Sequence, residues 1–182
     1  MDNEILAAAQ KYTQFALTLP EIDADNILGS NIEPELQSAL LAVYYATKLE
    51  DCIENTSLML TEKTGSDAVE ALTGAMSATE QAIKDAMIII RRYMDEEPEF
   101  AKLVDSLSVT SPSDNLYTEL LKLYKSKSII TTAYGYASAH SYSATPEEFI
   151  MQHMDIDIDK ILDIQLSLVN SIDNMLENHN SR

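Results

Sequence analysis

The sequence predicts an all-α fold, a compact bundle of about six or seven helices in a single domain. Three observations predict it. Four Gly and five Pro in 182 residues leave few breakers, where turn-rich β proteins use many. Apolar residues recur every three or four positions through most of the chain. Several proline-led helix starts punctuate that pattern, and the linkers between are short.

Taken in order, residues 3–19 read as a first helix, with Ile5, Ala9, Tyr12, Ala16 and Leu19 on one face and Pro20 ending it. Residues 20–33 read as a loop. Pro34 then suits a first helical position, and a long helix is expected to about residue 62. Leu36, Leu40, Val43, Thr47 and Ile53 make one face, and Leu41, Tyr45, Leu49 and Cys52 a second, as in an element packed on both sides. Asp67 and Glu70 have the spacing of a capping box at the start of a third helix, expected to about residue 95. Its stripe is Val69, Leu72, Met76, Ile83, Met87, Ile90 and Met94.

After the acidic break around Pro98 a short helix is expected to about residue 107. Residues 108–113 read as a loop and a place for a weak subdivision of the domain spanning 1–182. Ser111, Pro112 and Asp114 resemble a cap, a first-turn proline and a first-turn acid. The helix they predict carries Leu116, Leu120, Leu123, Ile130 and Tyr134, with a bend or stop near Gly135. Thr145, Pro146 and Glu148 form the clearest helix start, a capping box with proline at the first position. A pause is expected at Asp155. A last helix to about residue 177 then carries Ile158, Ile161, Leu162, Leu168, Val169, Ile172, Met175 and Leu176 in a heptad-like stripe, with residues 178–182 frayed. That stripe can complete the monomer's core or serve self-association.

Charge is the unusual feature. Thirty acids against twelve basic residues give a formal net charge of −18. Such a chain repels nucleic acid and anionic membranes and attracts basic surfaces. Acidity also serves plain solubility. Cys52 is the one cysteine, which suits a reducing compartment and is expected to be a small buried hydrophobe. The start Met1-Asp2-Asn3-Glu4 is acidic where a signal peptide would be basic, and no apolar stretch approaches the roughly 18 residues of a membrane span. The longest apolar run, Ala86 to Ile90, is closed by Arg91 and Arg92 and reads as a buried helix turn. Location in the cytoplasm of a bacterial host cell is the expectation.

The motifs of chemistry are missing. Asp155, Asp157 and Asp159 begin like a calcium loop, but Lys160 and Leu166 stand where Gly and Glu are required. No Glu lies three residues before His140, His153 or His179, so no Glu-x-x-His pair exists. Glu96 and Glu99 have the spacing of a magnesium-binding pair in an all-α nucleotide hydrolase, but Pro98 lies between them. The isolated Gly29, Gly65, Gly74 and Gly135 build no phosphate loop. No catalytic residue, metal ligand or cofactor is therefore expected. Residues 113–142 hold Lys122, Lys125 and Lys127 beside Tyr117, Tyr124, Tyr134, Tyr136 and Tyr142, a composition open to nucleic acid, to a protein partner, or to simple packing.

The acids cluster, and the preferred contact surface is Asp95, Glu96, Glu97 and Glu99 together with Asp155, Asp157, Asp159 and Asp163. Spaced carboxylates can occupy sites where nucleic-acid phosphates would bind. In length, acidity, helical character and lack of enzymatic motifs, the chain resembles the phage- or mobile-element-encoded anti-CRISPR proteins that inhibit Cas9. The resemblance covers overall character, rests on no diagnostic motif and carries no individual residue over. It implies a non-enzymatic binding protein whose partner is basic, Cas9 or its guide complex, with no direct nucleic-acid binding. The alternatives are a helical adaptor, chaperone or assembly protein, and a magnesium-dependent hydrolase.

Overall fold

In a computed structural model, which describes residues 1–22 and 24–180, the chain is all-α. It divides into two compact units, Met1–Pro98 and Glu99–Arg182, so residues 108–113 lie inside the second. Among the described residues no helix is long and apolar enough to cross a membrane.

The first unit contains α1 (Asp2–Thr18), a 3-10 turn (Leu19–Glu21), α2 (Pro34–Ser57) and α3 (Ser66–Glu96). The long α3 is its spine, and α1 and α2 both pack along it. The reason lies in the buried residues Ala68, Leu72, Ala75, Thr79, Ala82, Ala86 and Ile90, which recur at steps of three or four, a coiled-coil-like seam. Small side chains in that seam let neighbouring axes approach closely. Ile5 and Ala9 of α1 meet Ile53 of α2 and Ala68, Leu72 and Ala75 of α3 in one apolar cluster. Of the anticipated stripe on α3, Leu72, Ile83, Met87 and Ile90 are buried and Met76 packs against the core, while Val69 is 41% exposed and alanines share the packing. In the apolar run that follows, Ile88 is exposed while Ala86, Met87 and Ile90 are buried.

Three local expectations in this unit are overturned. Residue 65, not Asp67, precedes α3: Gly65 is the cap, and its N–H donates to Asp2 Oδ2 of α1 at 2.9 Å. A carboxylate from another helix therefore serves this helix start, where the backbone dipole favours negative charge. α2 ends at Ser57, short of residue 62. Thr56 and Ser57 bond the carbonyls of Cys52 and Ile53, and the Thr61 N–H turns to Thr64 Oγ1 at 2.9 Å. Cys52 is exposed rather than buried, since Ile53 takes the inward position beside it.

The second unit is built on α5 (Leu116–His140), with α6 (Pro146–His153) and α7 (Ile158–Asn180) packed against it, and includes most of α4 (Pro98–Ser106). α5 starts at Leu116, not at Pro112. Asn115 is the cap, and its Oδ1 accepts from the Thr118 N–H at 3.0 Å. It also runs unbroken through Gly135, whose missing side chain is no break in a helix otherwise well supplied with formers. Lys125 Nζ donates to the carbonyls of Val104, Asp105 and Leu107 at 3.0, 2.9 and 2.7 Å, so a cation satisfies the open end of α4. The Thr145–Glu148 capping box on α6 is present as expected. Ala133 and Ala137 of α5 meet Ile150 of α6 in a satellite core. α7 buries Gln165, Leu168, Val169 and Ile172, continues to Asn180, and leaves Leu162 47% exposed, against the expected stripe.

Candidate functional site

All eight candidate carboxylates are at the surface. Local structure accounts for some of them and not for others. Asp157 caps α7, its Oδ1 accepting from the Lys160 N–H at 3.2 Å, and Asp159 follows in the first turn, where the helix dipole favours an acid. Glu99 lies in the first turn of α4 and meets Lys102 Nζ at 3.4 Å. These three serve helix stability.

Asp95, Glu96 and Asp163 are placed less favourably, although the charge of Glu96 helps to hold the Arg92 guanidinium above its usual value. Asp95 and Glu96 occupy the last turn of α3, which holds no basic residue, so they oppose the dipole. In a surface helix each such placement costs up to roughly 1 kcal/mol. Glu97 then caps the helix with extended backbone, its N–H donating to the Tyr93 carbonyl at 2.9 Å. Asp163 stands one turn beyond Asp159 on the same side of α7, so two like charges face each other. Asp155 precedes the helix and is exposed. Leu162 and Leu166, 47% and 56% exposed, share the outer side of α7 with Asp159 and Asp163 by their spacing of three and four residues. The sequence reading had assigned Leu162 to the core.

The basic residues tell the complementary half. Arg92 of α3 pairs with Glu35 in the first turn of α2, and the hydrogen bond and charge of Glu35 hold its guanidinium above the usual value. Tyr93 donates to the same carboxylate at 3.3 Å, and burial, followed by the negative charge of Glu35, pushes its phenol up. Lys122 is buried and pairs with buried Glu119 at 2.8 Å, and it also donates to the Ser111 carbonyl. Lys125 is committed to the end of α4. The lysine–tyrosine stretch therefore spends Lys122 and Lys125 inside the protein. Tyr124 is buried, and of its tyrosines Tyr136 and Tyr142 are exposed, at 50% and 97%. Tyr136 stacks on His140 with ring centres 4.0 Å apart. Tyr134 has its phenol raised by burial first and by the charge of Glu147 second.

A hydrolase site would need carboxylates converging from two helices. Among the described residues no three of His, Cys, Asp or Glu come together as metal ligands would. The buried Glu119–Lys122 pair is what sequence reasoning missed. Its mark is a Glu and a Lys one turn apart inside Leu120, Leu121, Leu123 and Tyr124, a run too apolar to leave either charge in water. No protein-family model matches the chain, and neither a curated protein nor a solved structure matches it.

Proposed function

We propose that the chain is a non-enzymatic acidic binding protein that inhibits a nucleic-acid-handling effector by laying carboxylates over its basic channel, as an anti-CRISPR protein acting on Cas9 would. The observation that carries this reading is the placement of Asp95 and Asp163: exposed acids set against helix electrostatics, by the end of the dipole and by a like charge one turn away. The spending of Lys122 and Lys125 inside the fold supports it, because it leaves the least acidic stretch poorly suited to holding nucleic acid directly. A basic partner would be drawn in quickly at low salt.

The test is capture of a purified Cas9–guide complex at low and high salt, with DNA cleavage read in parallel. Capture that weakens as salt rises, together with lost cleavage, supports the reading. Reversal of Asp95, Glu96, Glu97 and Glu99 to Lys should then abolish capture while the helical content stays unchanged. Capture unaffected by that variant removes this cluster from the contact surface, and the same logic applies to Asp155, Asp157, Asp159 and Asp163.

One observation favours a second reading, a helical adaptor or assembly protein. Leu162 and Leu166 are exposed side by side on α7. A partner or second copy docked there would bind mainly by apolar burial, and its affinity would hardly respond to salt. Leu166→Ser would weaken that association and leave an electrostatic one nearly unchanged.

A further inference from the structure

We propose that one flank of α7 is a docking site for a basic amphipathic helix of a partner protein, held by an apolar pair and by the carboxylates beside it. Successive residues of a helix turn about 100° round its axis. That spacing sets the buried stripe of Gln165, Leu168, Val169 and Ile172 between two flanks. On one flank, the loop of residues 109–114 faces Ile164 and Ser171 across a groove. The other flank carries Leu162 and Leu166, one turn apart and 47% and 56% exposed.

The charge beside those leucines says what covers them. Asp159 and Asp163 are exposed, one turn apart, and repel each other until a cation comes between them. Residues 155–177 hold six acids and one lysine, so the surroundings do not relieve that repulsion. The lysine, Lys160, lies roughly 120–160° round the axis from the two leucines. Among the described residues it makes no ion pair with either aspartate. The complement of this flank is a helix with two apolar side chains one turn apart and lysines or arginines a turn to either side. Such long basic side chains can lay their methylenes on the leucines while their charged ends reach the carboxylates. A second copy of the chain is a poorer occupant, because a twofold contact centred on the leucines would bring Asp163 close to its own equivalent. Nucleic acid and anionic membranes are repelled by the same charge. The inference rests on the reading of the chain as a binder of a basic partner, and adds the element that the partner presents.

The test is an amide-resolved NMR titration of the full chain, at physiological ionic strength, with a synthetic lysine–leucine peptide whose leucines form one helical stripe. A length of about 18 residues lets it form a helix. A saturable 1:1 response centred on residues 158–167 is expected. Leu162→Ser combined with Leu166→Ser, both at exposed positions, should weaken binding about tenfold or more. Asp163→Asn should weaken it in the same direction, and Glu80→Lys, an exposed acid on α3 of the first unit, should leave it unchanged. A peptide of the same composition with its leucine stripe scrambled should not bind there. Equal binding of the scrambled peptide, shifts spread over every acid cluster, full binding by the double leucine variant, self-association of the free chain through α7, or no response would each overturn the proposal. Salt-sensitive capture of the Cas9–guide complex without peptide binding on α7 would remove this site and keep the inhibitor reading. Peptide binding on α7 without such capture would keep the site and remove Cas9 as the partner.

Discussion

Glu119 and Lys122 lie within one turn of α5, and both are almost fully buried. Removing one partner strands the other's charge in the interior, which costs about 3–5 kcal/mol in buried pairs. Lys122→Met should therefore destabilise the protein by that order in urea denaturation. The double variant Glu119→Gln with Lys122→Met should recover much of the loss, because no charge is then left unpaired. A double variant as unstable as the single one would show that the Ser111 carbonyl, Lys122's other acceptor, matters more than the pair. Tyr93 gives a prediction in pH. Burial and the charge of Glu35 raise its phenol above the ordinary value of about 10. The folded state thus favours the protonated ring, and that stability is full below about pH 10 and lost as pH rises through the raised value. Tyr93→Phe removes the titration. The stability difference between wild type and variant should be constant near neutrality and narrow above about pH 10. A constant difference throughout would mean that Tyr93 titrates alike in both states.

Helix ends show what one-dimensional signals convey. At α6, Thr145, Pro146 and Glu148 combine a cap, a fixed φ and a reciprocal hydrogen bond, and the box is formed as expected. At α5, Ser111 and Pro112 offered the same signs, but it is Asn115 whose Oδ1 accepts from both the N–H and the hydroxyl of Thr118. Local chemistry alone does not rank two caps four residues apart. Asn115→Ala should cost about 1 kcal/mol in denaturant unfolding, whereas Ser111→Ala should cost almost nothing. Gly135 reads as a break in sequence, yet it lies inside α5, and a Cβ built there meets nothing within 4 Å. Gly135→Ala should then stabilise the protein by about 0.5–1 kcal/mol. No gain would mean that the helix needs local give there. The helices and the acid clusters were legible because periodicity and charge are local properties. The alanine seam of α3 and the outward Leu162 were not, since which face turns inward depends on the partner helix. Cys52 was misjudged for the same reason.

At the scale of the whole molecule, charge acts in two opposite directions. A net charge of −18 makes the folded chain repel itself, and the like pair Asp159 and Asp163 and the acids closing α3 concentrate that repulsion on helices. Salt screens exposed charges beyond about 8 Å at physiological ionic strength, so adding sodium chloride should relieve the strain of self-repulsion. The melting temperature should rise with salt over the range in which affinity for a basic partner falls. Those two slopes share a cause, and charge reversal separates them. With Asp95 and Asp163 both changed to Lys, the melting temperature at low salt should rise, because two unfavourable placements become favourable ones, while binding to a basic partner should weaken. Solubility alone as the purpose of the acidity predicts the first change without the second. A melting temperature that falls on reversal would assign these carboxylates a stabilising contact and remove the argument that they are held for a partner.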